Sequence, residues 1–323
     1  MARDHFAART YLEQFGDSAN GGRLYGYQKA TGKRFPCWPK DVCREWDGDN
    51  NVAWLKRTPD LLGQYRKIFE PSWKTAVESF VNSDCTPEHR LAIAGYVANL
   101  MTCTPAWRRV GRELFIDDAT ASLSSAKRMK EKHGGNPSLP VDGIAMLEGG
   151  EISLDFEPGY VKAVVTKQLA EHAWKIYQLD WVLLDNSTPY PFMTSDNPVA
   201  IDDTVDIRIT PRRFVALTPK LGLVFRATRT EMHPIGQKLP PQGLISRREV
   251  DATDAQGFNR MVARCAEELV LSSIDADAIA TLVRNAAKFR VETQFVEFPA
   301  AEANTKYQGS MIRVRESRSA TQQ

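Results

Sequence analysis

Three Thr-Pro pairs, Thr58-Pro59, Thr86-Pro87 and Thr104-Pro105, each head a stretch with helical spacing, and together they commit much of the first half of the chain to helices. The reason is local. A threonine hydroxyl accepts from the unpaired amides of a first turn, and a proline just inside gives up an N–H that has no intrahelical partner. Behind the first pair, Leu61, Leu62, Tyr65, Ile68 and Phe69 form one apolar stripe, which Pro71 is expected to kink or divide. Behind the second, LAIAGYVANLMTC is apolar enough to predict a buried helix. Behind the third, a helix is expected to run to Lys132, where HGGNPSLP ends it. The pairs are capping devices and do not indicate an internal repeat.

Past Tyr177 the pattern changes. LDWVLLD, PFMTSDNPVAI, RFVALTP, LGLVFRAT and VETQFVEF read as strands, accompanied by helices over ATDAQGFNRMVARCAEELVLSS and a second one through Arg284. Helices first and strands later predict an α+β fold: a mainly helical first half packed against a mostly antiparallel sheet from the second half, with C-terminal helices. Upstream, HFAARTYLEQF reads as a short helix and RLYGYQKATGKRF as a hairpin. Residues 36 to 58 read as a loop with short helical pieces, and a helix is expected from about Pro158 to Tyr177. One large domain over residues 1–316 is expected, with an internal break near 134–150 and a flexible tail at 317–323, the end of a polar run, RVRESRSATQQ, that is expected to fray.

Charge narrows the partners little. Lys and Arg number 42 against 40 Asp and Glu, a formal net charge of +2, so no whole-chain attraction to nucleic acid follows. Arg208, Arg212, Arg213, Arg226 and Arg229 make either a local basic face or a solvated strand surface. The five cysteines, at 37, 43, 85, 103 and 265, form no C-x-x-C pair and fit reduced thiols. The opening MARDHFAART has no apolar core, and no apolar run reaches about 18 residues, so neither a secretory signal nor a membrane partner is expected; a cytoplasmic location is.

The segment PFMTSDNPVAI, residues 191–201, poses the functional question. Ser195 and Asp196 can build a turn by accepting from nearby amides, with Asn197 held extended by the proline after it. The other reading puts Asp196 at a strand end facing a cavity, with Ser195 and Asn197 beside a substrate. His5 suits a general base near neutral pH. Glu70, just before Pro71, and Glu78, two turns later, are candidate catalytic carboxylates, with an ordinary surface role as the alternative for each. Arg108 and Arg109 could pair with these acids or grip a phosphate through their forked guanidinium, and Asn259 lies polar in an apolar helix segment. Walker-A, dinucleotide, zincin and nucleophile-elbow patterns are absent, so no nucleotide cofactor motif is read.

Two of these stretches carry a resemblance. DHFAARTYLEQFGD resembles the opening H-[YF]-x-P-x-x-Y-L-x-x-F of the DUF4238 family, with Ala8 at the proline position, and FMTSDNPV is similar to that family's signature. TPDLLGQYRKIFEPSW, TCTPAWRR and the Asn259 helix follow in the family's order, from about His5 to Ser273. The resemblance implies candidate positions but no established reaction.

Taken together, His5, Glu70, Glu78 and Asp196 as catalytic groups, with Mg²⁺ or Mn²⁺ held by Asp196 and Glu70, predict a hydrolase: a metal-dependent nuclease or phosphodiesterase. Arg108, Arg109, Ser195, Asn197 and Asn259 would contact its substrate, and the partner would be nucleic acid or protein. The competing expectation is a non-catalytic recognition or sensor subunit in bacterial defence, in which the motif residues form a structural polar network. A small-molecule transferase using the same pocket is a third.

Overall fold

A computed structural model describes residues 3–46, 60–133, 141–202, 212–226, 242–299 and 306–316. In chain order the elements begin with strand β1 (Arg3–His5), helix α1 (Arg9–Leu12) and strands β2 (Leu24–Gln28), β3 (Arg34–Cys37) and β4 (Arg44–Trp46). The helical block is α2 (Leu61–Val81), α3 (Pro87–Cys103), α4 (Pro105–His133), α5 (Val141–Glu148), α6 (Pro158–Lys167) and α7 (Leu169–Gln178). Strands β5 (Asp180–Asp185), β6 (Thr194–Ser195), β7 (Val199–Ile201), β8 (Arg213–Thr218), β9 (Leu221–Arg226) and β10 (Ile245–Glu249) follow. The chain continues with α8 (Ala252–Cys265), β11 (Leu269–Ser272), α9 (Asp277–Ala286), β12 (Phe289–Pro299) and β13 (Lys306–Glu316).

This is an α+β fold with mostly antiparallel sheets. A five-stranded sheet runs β10-β5-β9-β8-β7, parallel only between β10 and β5. A four-stranded antiparallel sheet runs β3-β2-β11-β6, so the N-terminal hairpin is joined to the signature segment through β11. The ribbon β1-β4 pairs His5 with Arg44 and Asp4 with Glu45, and β12-β13 form a long hairpin.

The helix starts behave as their chemistry requires. Thr86 accepts from the His89 amide while the His89 ring accepts from the Thr86 amide, both at 3.3 Å, closing a capping box around Pro87. α4 starts at Pro105; Thr58-Pro59 lies outside the described residues. α3 is buried almost all round, as its composition predicts. Pro71 does not divide α2. It sits on the exposed face, where the Lys67 carbonyl that loses its helical donor can meet water. Trp73 of α2, Tyr96 of α3 and Tyr11 of α1 pack with ring centroids 4.3–6.0 Å apart, edge to face between Tyr11 and Trp73 and tilted in the other two pairs, and close the helical layer onto the N-terminal segment. Arg90 is fully buried; it donates to the carbonyls of Tyr177, Leu179 and Gly243 and lies 4.4 Å over the Trp181 ring, locking α3 to the turn between α7 and β5.

Several expectations are corrected. The helix predicted from Pro158 to Tyr177 is two helices, α6 and α7, with Gln168 between them. The helix predicted through Ser273 ends at Cys265, and its apolar end LVLS is instead strand β11. β10 and β13 are strands the reading lacked, and Arg313–Glu316 belong to β13. β4 forms inside the predicted 36–58 loop, and α5 inside the region of the predicted break. Residues 134–140 and the predicted tail 317–323 lie outside the described residues.

Candidate functional site

The signature segment faces inward at every polar position. Met193, Thr194, Ser195 and Asn197 have no exposure and Asp196 only 7%. The Met193 amide donates to Asn259 Oδ1 at 2.9 Å, and Asn259 Nδ2 donates to the Pro191 carbonyl at 2.8 Å, so α8 clips the chain just before β6. Tyr11 donates its phenol proton to the Ala216 carbonyl at 3.0 Å, which makes Thr194 Oγ1 the donor in their 2.7 Å contact. Ser195 Oγ accepts from the Asn197 amide at 3.1 Å, a local turn. Asn197 Nδ2 donates to the Cys265 carbonyl at 2.8 Å, and its Oδ1 accepts from Thr104 at the head of α4.

Asp196 is the centre of this arrangement. Its two oxygens accept three consecutive amides, Glu267 at 2.9 Å, Glu268 at 2.7 Å and Leu269 at 3.0 Å, which span the turn from α8 into β11. Burial pushes its carboxyl up to about 6, against the opposing pull of those amides. Lys29, a residue the sequence reading did not single out, lies beside this turn and joins the end of α8 to the start of β12. Its ammonium donates to Ala266 at 2.6 Å, Phe289 at 2.7 Å and Arg264 at 3.3 Å. Burial lowers Lys29 to about 8, and the negative charge of Asp196 opposes that shift. A buried acid thus gathers the amides of one turn, and a buried base ties the helix before that turn to β12.

His5 and Glu70 lie elsewhere, together. Both line a cleft of about 730 Å³ between β1 and α2, with Arg66, one helical turn before Glu70, beside them. Arg3, Arg9 and Lys67 add positive charge, and Asp4 and Asp60 negative charge. The half-buried His5 ring meets the Pro39 carbonyl at 3.3 Å; a carbonyl only accepts, so Nε2 carries the proton and Nδ1 is the acceptor of the neutral ring. Burial lowers its pKa, and Arg44 and Arg66 add to the effect. Arg66 is 8% exposed and donates from Nε to Asn99 Oδ1 at 3.4 Å. Glu70 acts electrostatically on buried Tyr96, whose hydroxyl accepts the Ala8 amide at 2.9 Å.

The remaining candidates disperse. Asp196 does not line this cleft, so the predicted hollow shared by Asp196, His5 and Glu70 does not form around it. Glu78 is on the outer face of α2, its side chain 60% exposed, 3.9 Å from Lys74. Arg108 pairs with Glu45 of β4. Arg109 forks onto Glu267 at 2.9 Å through two nitrogens and also reaches Glu113 and the Val291 carbonyl. Of the predicted basic face, Arg208 and Arg229 lie outside the described residues, and Arg212 pairs with Asp202 at 2.5 Å. Arg213 lies 5.1 Å over the Trp107 ring, its pKa pushed down to about 10 by burial. Among the described residues no group of three His, Cys, Asp or Glu side chains is arranged to hold a metal ion. The predicted pair of metal ligands is not brought together: Asp196 accepts the amides of Glu267, Glu268 and Leu269, while Glu70 lines the β1–α2 cleft. Among the described residues no helix is long and apolar enough to cross a membrane.

The model of a family described as protein of unknown function (DUF4238) matches residues 3–276. That span contains both the cleft and the signature segment. No curated protein and no solved structure shows significant similarity to the chain.

Proposed function

We propose, for a chain that belongs to the DUF4238 family, that the cleft between β1 and α2 is its working site and that the reaction is phosphodiester hydrolysis on nucleic acid. The observation that supports it is that His5, Arg66 and Glu70 line the same cleft. His5 is held neutral near pH 7 by burial and by the two arginines, and so is competent to take a proton from water. Arg66 presents a planar cation suited to a phosphate oxygen. Glu70 would carry the divalent ion, Mg²⁺ or Mn²⁺, whose chemistry when bound is to offset charge on the phosphate and lower the pKa of water. Arg3 and Arg9 at the rim would hold the flanking backbone phosphates.

The test is cleavage of single- and double-stranded DNA and RNA with Mg²⁺ or Mn²⁺, for the wild type, His5→Ala and Glu70→Gln. Cleavage that falls at least 100-fold in both variants, while their melting temperatures stay at the wild-type value, supports the proposal. Equal cleavage in all three removes the cleft from the reaction.

A second reading, a non-catalytic recognition subunit, is favoured by the signature segment, whose polar side chains are engaged within the fold. Under it no nucleic acid is turned over with either metal, and His5→Ala weakens the binding of a partner instead.

A further inference from the structure

A cavity of about 400 Å³ runs along the seam between α8 and α9 and ends at Phe289 of β12. Thr281 and Asn285 stand one helical turn apart on α9 and give it a polar row; Ala278 and Leu282, spaced the same way, give it an apolar one. α8 contributes Arg260 and Arg264, also one turn apart. The far wall is fixed by the fold itself. The buried Lys29 ammonium donates to the carbonyls of both Arg264 and Phe289, and the Arg264 guanidinium lies 4.0 Å over the Phe289 ring.

The charge of this lining is unbalanced. Among the described residues that border the cavity there is no carboxylate. The neighbouring cavity that Arg260 also borders differs, since there Arg212 is paired with Asp202 and Asp254 with Arg248. Arg264 is committed to the wall it forms with Phe289. Arg260 is exposed, and neither it nor Thr281 or Asn285 has a side-chain hydrogen bond or ion pair among the described residues. One available guanidinium offsets one negative charge, and its forked N–H groups match the two oxygens of a carboxylate. A phosphate dianion would be left with a charge unmet.

We infer that this cavity binds a small monocarboxylic acid with an apolar body, its carboxylate on Arg260 with Thr281 and Asn285 donating beside it, and its body against Ala278, Leu282 and Phe289. A concave site of this size, mostly apolar with a few polar groups at one edge, suits a small molecule. The site is separate from the β1–α2 cleft and does not depend on the reaction proposed there.

The experiment is calorimetric titration of the full chain with phenylbutyrate, with its neutral amide phenylbutyramide, and with acetate. The expected result is one site for phenylbutyrate, with the amide and acetate each about tenfold weaker or more, because the first lacks the charge and the second the apolar body. Arg260→Gln should weaken phenylbutyrate about tenfold and leave the amide unchanged. Ala278→Phe, which fills the cavity from an exposed position, should weaken both. His5→Ala should change neither. Arg260 and Ala278 are both exposed, so the melting temperatures of their variants should match the wild type. No binding by the wild type, equal affinity for acid and amide, unchanged affinity in Arg260→Gln or Ala278→Phe, or loss of binding in His5→Ala would each overturn the inference; the last would place the acid in the other cleft.

Discussion

The signature turn and the N-terminal cleft are both rich in polar residues, and they use them in opposite ways. In Thr194–Asn197 each side chain meets a partner inside the protein, and the result joins β6, β11, α8 and the head of α4. In the cleft, four cations, three acids and a histidine border a space large enough for a ligand. A buried polar cluster whose partners are all present consolidates a fold, because leaving any one of them unpaired costs a full desolvation penalty. The cleft's charged groups are partly engaged, Arg9 with Glu13, Lys67 with Asp60 and Arg66 with Asn99, but they border open space instead of a closed turn. Density of polar residues therefore does not distinguish the two; the direction they face does.

Substitutions should separate these regions. The largest effect is expected at Asp196→Ala, which strips acceptors from three buried amides and leaves Lys29 without its nearby negative charge; a loss of about 3–5 kcal/mol in urea unfolding is expected. Next, His5→Ala and Glu70→Gln should lower turnover about 100-fold, near 2.7 kcal/mol in activation, with stability close to the wild type. The acid limb of the wild-type pH–rate profile should lie below the ordinary histidine value of 6.5, because burial lowers His5. A profile centred above 6.5 would reassign the base.

Asp196 also carries a pH signature. Its carboxyl is raised from 3.8 to about 6 in the folded protein, so the folded state holds the proton more tightly than the unfolded chain does. Its contribution is fully present below about pH 4 and lost as the pH rises through about 6. The wild-type advantage over Asp196→Asn should therefore grow by roughly 2–3 kcal/mol between pH 7 and pH 4. A constant gap across that range would mean that Asp196 is not buried as described. Smaller still, Asn259→Ala should cost about 1–2 kcal/mol through the freed Met193 amide. Glu78→Ala, with its exposed partner Lys74, should be silent in both unfolding and turnover.

Much of the architecture was legible because its causes are local. The helix heads at Thr86-Pro87 and Thr104-Pro105, the hairpin around Thr31-Gly32 and the strand 180–185 each follow from a few neighbouring residues. The misses have physical reasons too. LVLS is too short for its period to separate strand from helix, and it becomes β11 because β2 and β6 flank it. β10 (ISRRE) and the RVRE end of β13 are polar enough to read as loop, yet β5 and β12 pair with them. Lys29 sits in a stretch, YQKATG, that reads as a solvated turn; only the fold brings three carbonyls to its ammonium. Nothing in the spacing of His5 and Glu70, 65 positions apart, says that they line one cleft, or that Asp196 stays away from it.

The decisive measurement is a paired one: melting temperature and nucleic-acid cleavage for Asp196→Asn and His5→Ala, against the wild type at pH 7. A clear fall in melting temperature with residual cleavage is expected for the first, and an unchanged melting temperature with cleavage nearly abolished for the second. The reverse pattern, an Asp196 variant that melts normally but has lost its chemistry, would contradict that expectation.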